Sequence, residues 1–367
     1  MLHNFQSINT EQYLNEINIL TYGNEGNNMS FSSLNLRFAV VKEESVPGTP
    51  EWDFAASFPA DADFNNRIYG IEVSPQIDFD EDVANIATGD HAELSGLSGK
   101  QACQISFTFP IHYGGAVATA PNWSKIAKGC GLYEHAYTTT GIGYQPLKQM
   151  DANTLTIAVI DMDLGGASPN ATAYVFAGCV GNMVLSAENN GKLMASCTFT
   201  GKYVDYIALA NANIPEPTGM QATLAEKLLN TTFTINTVTQ WISSFSLDLG
   251  NDIQPLIDQA ETTGYEYYYI ASRKPRFSVN PLKIAQGADD VHDRLISDTS
   301  GVISLATTNL TLYIPRAQIM SYAIASREGL VHFDQSYSCQ RNHNGLSAIQ
   351  AAIPNECTFE LLQGARA

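Results

Sequence analysis

At 367 residues the chain has room for two domains or one large one, and a 44% hydrophobic content supplies an ordinary globular core. Nineteen basic residues stand against 37 acidic ones, a formal net charge of −18. Such a chain repels phosphate backbones and stays soluble, which excludes a nucleic-acid-binding role built on Lys and Arg.

Residues 1–30 are polar and Asn-rich, with a short amphipathic run at Tyr13–Leu20, and read as an N-terminal arm. They show no basic n-region and no long apolar run, so no secretory signal is expected. No stretch reaches the roughly 18 apolar residues of a membrane span, and synthesis in the cytoplasm is expected. Leu34–Ser45 (LNLRFAVVKEES) is apolar and β-branched and ends on the breaker Val46–Pro50 (VPGTP): a strand, then a loop through Glu51–Asn66.

Arg67–Val83 contains IEVSPQIDFDEDV (Ile71–Val83), which recurs as ISSFSLDLGNDI at Ile242–Ile253. Ser74 pairs with Ser244, Ile77 with Leu247, Asp78 with Asp248, Phe79 with Leu249, Asp82 with Asp252 and Val83 with Ile253, all at one offset, 248 − 78 = 170. Internal repetition of this kind bears directly on architecture.

Ala84–Lys100 reads as loop. In Gly99–Ile111, Cys103, Ile105, Phe107 and Phe109 alternate with Gln104, Ser106 and Thr108, a strand with one buried and one polar face. Ala120–Leu132 is a predicted helix with Pro121 at its start and Gly129 and Gly131 as its stop. Thr154–Asp161 and Ala173–Ala187 are predicted strands. The turn Glu188–Gly191 (ENNG) then returns the chain through Lys192–Tyr203 as a hairpin. There Leu193, Ala195, Cys197 and Phe199 alternate with Ser196, Thr198 and Thr200. Asp205–Asn230 reads as a connector holding a short helical run, Ala222–Leu229.

The programme then repeats. Tyr265–Ile270 and Pro275–Leu282 are predicted strands, the latter with Phe277 and Val279 opposite Arg276, Ser278 and Asn280. Ala288–Ser297 is a predicted helix with acids in its first turn, and Leu310–Ile314 a strand. Ile319–Ser326 and Leu330–Cys339 form a hairpin around Arg327–Gly329. Val331, Phe333, Tyr337 and Cys339 line up with Leu193, Ala195, Phe199 and Gly201 at an offset of 331 − 193 = 138. The fall from 170 to 138 implies that the second copy lacks about one hairpin between its helix and its final hairpin. The expected organisation is an arm at 1–30, a first β-domain at 31–205, a connector at 206–232 and a second β-domain at 233–367, each domain carrying one flanking helix.

No catalytic signature stands out. The histidines (His3, His91, His112, His135, His292, His332, His343) form no HxxxH or HExxH, and there is no GxSxG, P-loop or GxGxxG following a strand. The acidic run Asp78–Asp82 suits a hard cation in type, but it closes a strand without a loop glycine and reads as a solvated strand end or a wall charge. The six cysteines show no CxxC and read as buried thiols. Cys179 and Cys197 can face each other across a hairpin, yet would stay reduced in a cytosol. The Tyr265–Tyr269 cluster reads as strand packing rather than a sugar platform. No enzyme activity, cofactor or metal is expected.

The ordered set KEESVPGTP, VSPQIDFD, GKQACQISFTF, the APNWSKIAKGCGL helix and the AGCVGN…ENNGK…FTGKY hairpin resembles the tail tube proteins of long-tailed bacteriophages. The resemblance covers Leu34–Tyr203 well and the second half mostly through the internal repeat. It implies a mainly β chain of two tandem tail-tube-type β-sandwich or barrel domains. Stacked rings would line a conduit for DNA ejection. Single-domain members close as hexamers and tandem ones as trimers with pseudo-sixfold symmetry; this chain fits the second arrangement, although its second copy lacks the GCGL helix ending. The implied partners are further copies of itself and the tail terminator, tape measure and tail-tip proteins. DNA would pass without specific binding, no membrane is involved, and the location is the virion.

Ring closure removes bare sheet edges, and strands with one polar face suit a water-filled bore. The expected bore-lining groups are Asp78, Asp80, Asp248 and Asp252 with the polar faces Gln104, Ser106, Thr108 and Ser196, Thr198, Thr200. The alternative is a tail-tip adhesin or carbohydrate-binding β-domain, to which an acidic, Tyr-rich β chain is also suited.

Overall fold

The computed structural model describes residues 36–52, 67–69, 71–80, 97–114, 116, 119–137, 141–147, 153–162, 170–188, 191–210, 225–229, 231–282, 291–327, 329–341 and 358–363. The expected N-terminal arm, most of the loop Glu51–Asn66, and Asp82 and Val83 of the repeat lie outside the described residues. Of the strand Ile71–Asp80 only the backbone is described.

The architecture is mainly β. The described strands are β1 (Leu36–Glu43), β2 (Ile68–Tyr69), β3 (Ile71–Asp80), β4 (Leu97–Pro110), β5 (Leu132–Tyr137), β6 (Gly141–Pro146), β7 (Leu155–Met162), β8 (Asn170–Glu188), β9 (Met194–Ala210), β10 (Thr232–Ile235) and β11 (Val238–Gln240). They continue with β12 (Ile242–Asp248), β13 (Asn251–Ile257), β14 (Tyr265–Arg273), β15 (Arg276–Pro281), β16 (Ser300–Ala306), β17 (Leu310–Arg327), β18 (Leu330–Cys339) and β19 (Glu360–Gln363). Two short helices, α1 (Ser124–Gly129) and α2 (Val291–Ile296), complete the set. All strands but β13 and β14 belong to one antiparallel sheet; those two form a separate hairpin.

Pairing in the first part of the chain runs β3–β4–β9–β8–β7–β1–β2. In the second part it runs β12–β15–β18–β17–β16–β10–β11. The two runs match step for step, each with a long hairpin at its centre and a helix entering the chain between its second and fifth strands. Register agrees with the 138 offset: Phe199 faces Gly181 and Tyr337 faces Ile319, so both strands of the two hairpins differ by 337 − 199 = 319 − 181 = 138. The 170 offset of the opening repeat is not kept: Leu247 reaches Tyr337 through Phe277 as Val73 reaches Phe199 through Ile105, and 247 − 73 = 174. Hairpin β5–β6 lies between α1 and β7, whereas only residues 297–299 separate α2 from β16.

The two runs meet in β8, whose other edge is taken by β9 as far as Ser186, with a break between Ala177 and Val180. Its first half pairs with β7 and its last five residues, Val184–Glu188, with β12. One apolar cluster lies behind both runs, from Ile105, Phe199 and Leu185 to Leu247, Phe277 and Tyr337. It forms because period-two alternation drives Ile105 and Phe107 of β4, Ala195, Cys197 and Phe199 of β9, Phe245 and Leu247 of β12 and Phe277 and Val279 of β15 to one side. Helix α1 packs against β1, β5 and β8, and α2 against β17. Gly131, at φ +74°, supplies the left-handed residue that stops α1.

Several expectations are corrected. Ala222–Leu229 is not helical where described: Ala225 and Lys227 bridge to His112 and Lys192, and Glu226 donates its N–H to Ile111 O at 2.9 Å. Main-chain groups of two strands claim this segment and override its helical propensity. β9 runs to Ala210, past the expected boundary at Asp205, and Leu310–Arg327 is one strand rather than two. Cys197 faces Met183, not Cys179, and the cysteines described are all free and buried.

Candidate functional site

The sheet has a second face, and there the polar residues of the alternation converge. Gln104, Ser106 and Thr108 of β4 stand opposite Thr200, Thr198 and Ser196 of β9 in register. The hydroxyls of Ser106 and Thr198 lie 3.4 Å apart, and those of Thr108 and Ser196 3.1 Å. Asn182 of β8 is next to Thr198.

The band crosses the seam at Ser186. Ser186 of β8 faces Ser246 of β12, which faces Ser278, then Ser336, then Ser321. One step along the strands, Val184 is followed by Asp248, Arg276, Ser338 and Gln318. The charges on this part of the band are matched: Asp248 faces Arg276 in register, and Arg327 donates to Asp334 at 2.8 Å. Glu188 adds an exposed carboxylate. The face is thus mainly hydroxyl, with carboxylates in slight excess over cations.

Of the sequence-predicted residues, the six hydroxyl and amide groups of β4 and β9 share this face with Asp248. Asp78 and Asp80 lie on β3, which pairs with β4, and their side chains are outside the described residues. Asp252 is elsewhere, exposed on hairpin β13–β14, where it accepts from Gln254 at 2.9 Å and Ser272 at 3.3 Å. That hairpin covers Ala102 and Val180 with Tyr268 and Ile270 and so bounds the band on one side. Tyr268 is buried there, as strand packing requires.

A network at the seam was not foreseen. Asn182 Nδ2 donates to Asp248 Oδ1 at 2.9 Å, and Asn251 N–H donates to Asn182 Oδ1 at 3.1 Å. Asn251 Nδ2 also reaches the carbonyls of Cys130 and Gly181, each at 2.8 Å. Arg273 donates to Gly131 O at 3.0 Å, so the helix ending read in the sequence as GCGL is held by the second half of the chain. At the end of β1, Glu44 accepts from Gly48 N (2.7 Å), Gly178 N (2.7 Å), Thr154 Oγ1 (2.6 Å) and Thr156 Oγ1 (3.0 Å). Burial holds its carboxyl above the usual range despite these donors.

Nothing in this geometry resembles a reaction centre, and among the described residues no three His, Cys, Asp or Glu side chains gather to hold a metal. The chain matches the family of phage tail tube proteins over residues 35–319. It belongs to that family. The match runs from the start of β1 into β17 and so takes in the first run of strands and the second as far as the start of its hairpin. Tail tube proteins are structural rather than enzymatic, and a surface of paired hydroxyls with balanced charge agrees with such a role. A search of curated proteins finds no match. No helix among the described residues is long and apolar enough to cross a membrane.

Proposed function

We propose that this chain builds the tail tube as stacked rings of three copies, each copy a duplicated unit, so that six similar units surround one bore. The observation that carries this reading is the identical order of pairing in the two runs, β3–β4–β9–β8–β7–β1–β2 and β12–β15–β18–β17–β16–β10–β11. Independent evolution of two such seven-strand orders in one chain is far less economical than doubling. In this reading the halves are the β-domains 31–205 and 233–367, each with its helix, α1 or α2, on the outer side, and 206–232 connects them.

The polar band faces the bore. Gln104, Ser106, Thr108, Ser196, Thr198, Thr200 and Asp248 line its wall, Asp78 and Asp80 continue it across β3, and Asp252 sits at its rim on hairpin β13–β14. Three features support this: the band crosses the seam at Ser186, its opposite face is the core, and its cations are matched by carboxylates. Passing DNA meets hydroxyls and net negative charge, and the described arginines of the band, Arg276 and Arg327, stand beside Asp248 and Asp334 rather than free to hold it. Ring closure and stacking make the chain its own first partner. The tail terminator, tape measure and tail-tip proteins meet the ends of the tube, and the finished product resides in the virion after synthesis in the host cytoplasm.

Electron microscopy of the purified chain, or of particles carrying it, tests the reading. Tubes of one diameter with three chains in each ring are expected. Six chains in a ring would refute the duplication arrangement. A chain that stays monomeric at high concentration would refute the tube.

A further inference from the structure

The seam within the chain is a template for a contact between chains. In β8 the last five residues pair with β12, and the apolar side chains at that hairpin tip lie in the core: Leu185 is 1% exposed and Leu193 2%. The second hairpin, β17–β18, has the same register but no such cover. Past Gln318, its last residue paired to β16, the β17 edge has no partner strand among the described residues. The residues at the corresponding tip positions are open, Ile324 at 66% and Val331 at 40%. The one-residue shift in pairing between Ile319 and Ser321 makes Ile324 the counterpart of Leu185, since Leu185 faces Ala195 and Ile324 faces Phe333, with 333 − 195 = 138. An apolar tip and a bare antiparallel edge on one element are features that folded proteins normally cover.

The strand that covers β8 within the chain is β12, and the strand in the place of β12 in the first run is β3. β12 is paired on both edges, to β15 and to β8. Among the described residues β3 is paired on one, to β4. Thus the end of β17 and the outer edge of β3 are the two edges that the seam would join if it were repeated.

We propose that Ala323–Arg327 of one copy pairs antiparallel with β3 of a second copy, repeating between molecules the β8–β12 seam made within each. The contact is head-to-tail, so it propagates until a ring closes. It carries the polar band from one molecule into the next and covers the exposed edge beside Ile324. In the template Leu185 stands opposite Leu247. The pairing register puts Val73 in the place of Leu247, since Leu247 reaches Tyr337 through Phe277 as Val73 reaches Phe199 through Ile105, so Ile324 stands opposite Val73 of the neighbour. This inference rests on the ring reading above and specifies its joint.

Two variants test it on the full-length chain. Ile324→Asp alters an exposed side chain, so the monomer should keep its circular dichroism and melting temperature. Its half-assembly concentration should rise by about tenfold or more, because a carboxylate would lose water at the joint. The double variant Val73→Cys/Ile324→Cys should give intermolecular disulfides on oxidation, in closed sets of three, well above a control pairing Ile324→Cys with Val46→Cys. If Ile324→Asp assembles like the parent, or the Val73→Cys/Ile324→Cys variant links no better than the control, the joint is wrong while the tube reading stands. A parent chain that forms neither rings nor tubes overturns both.

Discussion

Asn182 and Asp248 are joined at 2.9 Å where β8 exchanges β7 for β12, and this bond ties the first run of strands to the second. Asp248 also accepts from Gly250 N at 2.9 Å, which fixes the left-handed turn into hairpin β13–β14. A hydrogen bond to a charged acceptor contributes about 1.5–3 kcal/mol, less where solvent reaches it. Asn182→Ala should therefore lower unfolding stability by about 1–2 kcal/mol, read from the denaturant midpoint at unchanged m-value. Combined with Asp248→Ala, the loss should be less than the sum of the two single losses, since both remove one interaction. Strict additivity would deny the link.

The glycines of the AGCVGN and FTGKY segments have a steric purpose. A Cβ on Gly181 would stand 2.7 Å from ring atoms of Phe199, and one on Gly201 would stand 2.3 Å from Cys179 Sγ. Both neighbours are buried. Gly181→Val should cost about 1–3 kcal/mol or more through overpacking, and Phe199→Leu in the same chain should recover part of that loss. Thermal melts of the two variants check it; a neutral Gly181→Val would mean that the ring has room to move.

Much of this arrangement was legible in the sequence, and the parts that were not have a common cause. The faces of β4 and β9 could be read because each strand has core on one side and solvent on the other, which is the condition for period-two alternation. The 138 offset could be read because it is carried by large side chains, Phe333 and Tyr337, at fixed steps. Strands β6 and β19 were missed because every residue of each is buried, so alternation vanishes. Their polar members Gln145 and Glu360 look exposed in the sequence and are in fact partners, 2.9 Å apart. Asn182 carried no signal either: a seam residue is distinguished by what lies beside it, and β12 lies about 60 residues away. The Ala222–Leu229 run failed for the same reason, since its pairing with Ile111 and Leu193 is set by distant strands.

Glu44 gives the fold a pH dependence. Its carboxyl is raised above the usual 4.5 mainly by burial, opposed by its Thr154, Gly178, Gly48 and Thr156 donors. A carboxyl whose folded value exceeds its unfolded value favours the folded state when protonated. Its contribution is therefore full below the unfolded value and is lost as pH rises through the folded one. Stability should fall relative to Glu44→Gln as pH rises above 4.5. The variant's own baseline is lower, because an amide N–H must replace one acceptor position among four donors. Melting temperatures of both proteins across that range, taken as a difference, cancel the other carboxylates; parallel curves would refute the assignment.

Placement of the polar band can be tested without a map of the assembled tube. Thr198 lies at the centre of the β4–β9 part of the band, half-buried and flanked by Ser106 and Asn182. The described native thiols are buried, and burial also raises Cys179, Cys197 and Cys339 above the ordinary thiol value, Cys339 to about 12, which keeps background labelling low. A Thr198→Cys thiol should react with a small maleimide in both monomer and tube. A maleimide carrying a long polymer should label the monomer but lose most of its access once rings have stacked, because the polymer cannot thread far into a bore. Arg37, beside Asp161 at the far end of β1, serves as the outer-wall control through Arg37→Cys. Its labelling by the large reagent should survive assembly. Equal protection at both positions would refute a special shelter for the band, and loss at Arg37→Cys alone would place the hydroxyl band on the outside of the wall.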